Sequence, residues 1–65
     1  MHLNRMAVEY ALVRKEWTQK DLANASGFAP YTISNIIRGA SCKISTAIKI
    51  ADALGVERET ILEQK

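Results

Sequence analysis

Tyr31, Ser34, Asn35 and Arg38 recur at i, i+3, i+4 and i+7, so a helix over this stretch lines them along one face. Their chemistry is recognition, not bond-breaking. The Asn35 amide donates and accepts at once, which suits bidentate pairing with adenine N7 and N6. Tyr31 offers a ring for a thymine methyl or a hydroxyl for a phosphate, Ser34 brings a hydroxyl and Arg38 a fixed charge. No nucleophile–base pair or carboxylate dyad stands at a recognisable site, and so small a chain leaves little room for a closed pocket. Catalysis and a small-molecule substrate are not expected. His2 and Cys42 are the sole residues of their types, so an internal disulfide is excluded and no zinc site or other cofactor is expected. A redox role for Cys42 requires a depressed thiol pKa beside Lys43.

Two short helices must hold that face. Thr18 and Asp21 have capping-box spacing, which starts a helix at Gln19. Leu22, Ala23 and Ala25 are expected to carry it inward until Ser26-Gly27 ends it. Pro30 suits the first turn of the next helix, where a missing N–H costs nothing. Its inner side is Ile33, Ile36 and Ile37, and small Ala23 lets the two helices cross closely. A helix-turn-helix over 19–38 follows.

The first helix is expected over residues 3–15, with Val8, Ala11 and Leu12 turned towards this pair. Leu3, Met6, Tyr10 and Val13 form a second apolar stripe roughly opposite, continuing to Trp17. Such a helix is either covered on both flanks or presents a binding surface to a second protomer or another protein. After Gly39, residues 40–43 form a short polar loop. Ala47, Ile50, Ala51 and Leu54 mark a fourth helix from Ile44 or Ser45 to Leu54, and Val56 to Glu63 reads as a last short helix. No strand, repeat or low-complexity tract is evident.

The runs W-T-Q-K-D-L-A at 17–23, T-I-S-N-I-I-R-G at 32–39 and K-I-A-D-A-L-G-V at 49–56, with Gly27 between them, resemble the lambda-repressor/Cro-type helix-turn-helix family across nearly the whole sequence. The resemblance implies one all-α domain over 1–65, a compact five-helix lambda-repressor-like fold that lays its third helix in the DNA major groove. It assigns base contacts to Pro30, Tyr31, Thr32, Ser34 and Asn35, with Pro30 departing from the polar residue frequent there. Gln19, Lys20, Arg38 and Lys43 are the expected phosphate contacts, the first two at a helix N-terminus that favours anions. Relatives commonly dimerise through the last helix and the loop before it, which points to Val56, Ile61 and Leu62, with the second stripe of the first helix as the other surface. Many relatives pair an arginine in the first helix with a glutamate near the end of the third. Leu12 and Ile37 stand at those positions here. Replacing both together avoids a stranded buried charge, so these two residues are expected to touch.

Charge and size agree with this reading. Residues 1–51 hold seven Lys/Arg against three Asp/Glu, whereas residues 52–65 hold two against four. A basic side facing a polyanion and an acidic remainder fit that asymmetry. No apolar run approaches the roughly 20 residues that span a bilayer, and Met-His-Leu-Asn lacks the pattern of a secretory leader. The expectation is a cytoplasmic, homodimeric, sequence-specific repressor on double-stranded DNA. The alternative is a module that binds another protein through the apolar flank of the first helix.

Overall fold

The structure is a computed structural model that describes residues 1–62. Five helices follow in order: α1 (Arg5–Lys15), α2 (Gln19–Ser26), α3 (Pro30–Ile37), α4 (Ile44–Leu54) and α5 (Arg58–Ile61). Local chemistry explains most boundaries. The Thr18 hydroxyl accepts from the Asp21 N–H at 3.2 Å while the Thr18 N–H donates to the Asp21 carboxylate at 2.8 Å, completing the expected capping box. Gly27 closes α2 at φ 83°, a conformation that carries no Cβ penalty in glycine. Pro30 begins α3 in the first turn.

Leu22, Ala23, Ile33, Ile36, Ile37, Ala47, Ile50, Ala51 and Leu54 form the core with Val8, Ala11 and Leu12. Leu12 and Ile37 are thus both buried members of one cluster. Helix α2 packs against α3 and α4, so the helix-turn-helix is backed by the fourth helix. Helix α1 packs chiefly on α4 and α5, and its inner residues Val8, Ala11 and Leu12 share one buried cluster with those of α2 and α3.

Other expectations are corrected. Helix α1 starts at Arg5, because the Asn4 side chain accepts from the Ala7 N–H at 3.2 Å and caps it there. Leu3 is therefore extended, and it is buried in the core instead of standing on the outer stripe. Met6, Tyr10 and Val13 are exposed to 80%, 65% and 73%, so the second flank of α1 is not covered by the described residues. Ala25 faces solvent. The last helix is a single turn ending at Ile61, with Leu62 extended; Glu63, expected within it, lies outside the described residues. No sequence signal marked Glu16, which ends α1 at φ 58° in the left-handed region that glycine usually fills.

Candidate nucleic-acid interface

The turn residues 27–29 and Pro30 turn the outer side of α3 away from the core. Tyr31 is 77% exposed, Pro30 is exposed, and Thr32, Ser34 and Asn35 are partly exposed. Nothing within the described chain buries the side bearing Tyr31. On the opposite side Ile33, Ile36 and Ile37 are all buried, as their spacing required.

A groove runs beside this face. Tyr31, Thr32 and Asn35 line one wall, and Lys43 lines it from the start of α4. Four expected contact residues from two elements thus share one concavity. Arg38 caps the C-terminal end of α3 and is exposed, while Gln19 and Lys20 occupy the first turn of α2, Gln19 partly buried and Lys20 exposed. These three do not line the groove.

Sequence reading missed the rest of the lining. Phe28, Ile36, Ala40, Ser41, Cys42 and Thr46 complete it. Phe28 follows the helix-ending Gly27 directly, and an apolar residue at that point is the signal that could have found it. Lys49 sits over the Phe28 ring at 5.9 Å, adding a cation at the edge.

The loop 39–42 is held by the start of the chain. The His2 Nδ1–H donates to the Gly39 carbonyl at 2.7 Å, and the Cys42 N–H donates to the Met1 carbonyl at 2.8 Å. Cys42 is half-buried, and burial pushes its thiol pKa up. That is the opposite of the shift a reactive thiolate needs, so the geometry gives no support to a redox switch.

Two of the three dimer candidates remain partly exposed, Val56 and Leu62. Ile61 is corrected: it is fully buried, facing the core among the residues that close the fold, and it has no surface left to offer a partner.

Helices α2 and α3, their shared core of Leu22, Ala23, Ile33, Ile36 and Ile37 and the uncovered face of the second define a helix-turn-helix domain. The sequence matches the helix-turn-helix family over residues 8–61, and the chain belongs to that family, in its lambda-repressor/Cro type, a family of DNA-binding regulators. No curated protein and no solved structure gives a significant match.

Proposed function

We propose that residues 1–65 act as one DNA-binding domain, a sequence-specific and homodimeric repressor of transcription working in the cytoplasm, with α3 in the major groove. The observation that carries the reading is the open side of α3, where Tyr31 is 77% exposed beside Asn35 and Ser34 and no acidic side chain stands on the helix. Pro30, Tyr31, Thr32, Ser34 and Asn35 meet base edges; Gln19, Lys20, Arg38 and Lys43 meet phosphates. One eight-residue helix reads only a few base pairs. A twofold dimer sets two such helices on major-groove faces about 34 Å apart and doubles the site.

The test is selection of bound duplexes from a random pool at near-physiological salt. A twofold-symmetric motif is expected. A pool with no preferred duplex overturns the reading.

A second reading draws support from the exposed Met6, Tyr10 and Val13, which stand at i, i+4 and i+7 on α1. Three large apolar side chains in one row are the mark of a contact surface. In this reading the domain binds another protein through α1, and tight protein binding without sequence preference on DNA distinguishes it.

A further inference from the structure

Two shallow clefts lie side by side where α1 meets the turn between α4 and α5. The first is lined by Ala11, Arg14, Lys15 and Leu54, the second by Asp52, Glu57 and Arg58, and Gly55 and Val56 belong to both. Buried Ala11 and Leu54 thus carry two exposed cations on one side of Val56, while two exposed carboxylates and one cation stand on the other. Among the described residues Arg5 and Glu9 form the one ion pair, so none of these charges is paired there. The Arg14 guanidinium instead lies 5.9 Å from the centre of the Tyr10 ring, and the Lys15 ammonium 4.7 Å from that of Trp17. Arg14 therefore borders both the first cleft and the exposed row of Met6, Tyr10 and Val13, and it makes the row and the clefts one surface.

That surface is complementary to itself. A twofold axis through Val56 exchanges its two sides, so it lays the basic side of one copy on the acidic side of the other at two equivalent junctions. Area points the same way. A stable interface buries about 800 Å² per partner, close to a fifth of the 4369 Å² that this chain exposes. Met6, Tyr10 and Val13 do not reach that alone, whereas the row and the clefts together offer a continuous patch. Resting on the homodimer reading above, we infer that two copies of this chain meet across this surface, with Arg14 and Lys15 of each protomer against the partner's Asp52 and Glu57. The apolar row and Val56 supply the buried area. The charges, which add little affinity at a wet rim, fix the orientation, because like charges brought together there are costly. No residue of either cleft is among those assigned to bases or phosphates, so pairing here covers none of them directly.

The experiment reverses each side in turn and reads self-association by sedimentation, free and on the selected duplex. Arg14→Glu with Lys15→Glu, and separately Asp52→Lys with Glu57→Lys, bring like charges together at both junctions. Each double variant should dimerise about tenfold more weakly than the original chain, or worse. All four positions are exposed, so the thermal transition should stay within several degrees of the original. The single reversals Lys15→Glu and Asp52→Lys carry the same test in place of a double variant that unfolds. Mixed in equal amounts, the two variants present opposite charges at both junctions and should form a heterodimer within about threefold of the original affinity. Simple damage to either protomer does not produce that recovery. Dimers that survive reversal of either side, or variants that fail to recover on mixing, put the interface elsewhere and leave the homodimer reading standing. An original chain that sediments as a monomer both free and on the duplex overturns both.

Discussion

Leu3 and Leu62 pair as an isolated antiparallel bridge, and the Asn4 N–H next to it donates to the Ile61 carbonyl at 2.6 Å. The pairing joins the two ends of the described chain beneath α1 and α5. Through Met1 and His2 the same extended segment reaches the loop after α3. The start of the chain therefore ties the exit of α3 to the last helix.

Leu3 and Met6, which a helical pattern puts on one stripe, consequently have opposite energetic roles. Leu3 is 5% exposed and Met6 80% exposed. Leu3→Ala should cost about 2–4 kcal/mol, as truncation of buried leucines does. Met6→Ala should change stability by less than about 0.5 kcal/mol. Denaturant unfolding of the two variants checks the pair; equal losses would return Leu3 to the outer stripe.

The dimer proposal has to be tested away from Ile61. Because that side chain is wholly buried, Ile61→Lys strands a charge in the core, and its expected outcome is loss of the fold rather than a folded monomer. Tyr10→Lys and Val13→Lys alter exposed positions and should leave the thermal transition within a few degrees of the original. If α1 forms the interface, sedimentation should show these two variants as monomers with weakened operator binding. If Val56→Lys gives that result instead, the interface lies at the α4–α5 turn.

Base and phosphate roles separate by their response to sequence and salt. Asn35→Ala should relax preference at one base pair per half-site, a loss of about 1–3 kcal/mol of discrimination. Arg38→Ala and Lys43→Ala should weaken all duplexes alike, each flattening the log–log salt dependence by about 0.9 per protomer. Titrations at several salt concentrations check this. An Asn35→Ala protein with unchanged preference removes that residue from the readout set.

What the sequence made legible was what short spacings control. Thr18 and Asp21 form their cap from three residues apart, and the isoleucines of α3 face inward because helical geometry leaves them no alternative. Leu3 was misread because its environment depends on Leu62, and no local pattern reports a pairing between chain ends. Ile61 shows the same limit: an apolar residue in a short helix looks alike whether it meets its own core or a partner. The groove escaped for a related reason. Phe28 comes from the turn before α3, Ile36 from α3, Cys42 from the loop after it and Thr46 from α4, and only the folded arrangement makes them one surface.

The last prediction concerns Leu12 and Ile37, which stand where relatives of the family keep an ion pair. Both are buried in the same core cluster, at 6% and 3% exposure. Leu12→Arg alone buries a guanidinium without a partner, and Ile37→Glu alone buries a carboxylate; each should cost about 3–5 kcal/mol. That is a large fraction of the stability of a domain this small. If the two side chains adjoin, the double variant restores each charge its partner, and the two losses should fail to add by 2 kcal/mol or so. Thermal unfolding followed by circular dichroism, with an osmolyte present to keep the single variants folded, provides the measurement. Full additivity would mean that the two residues share the core without touching, and that this chain packs its first helix against its third differently from the relatives that carry the pair.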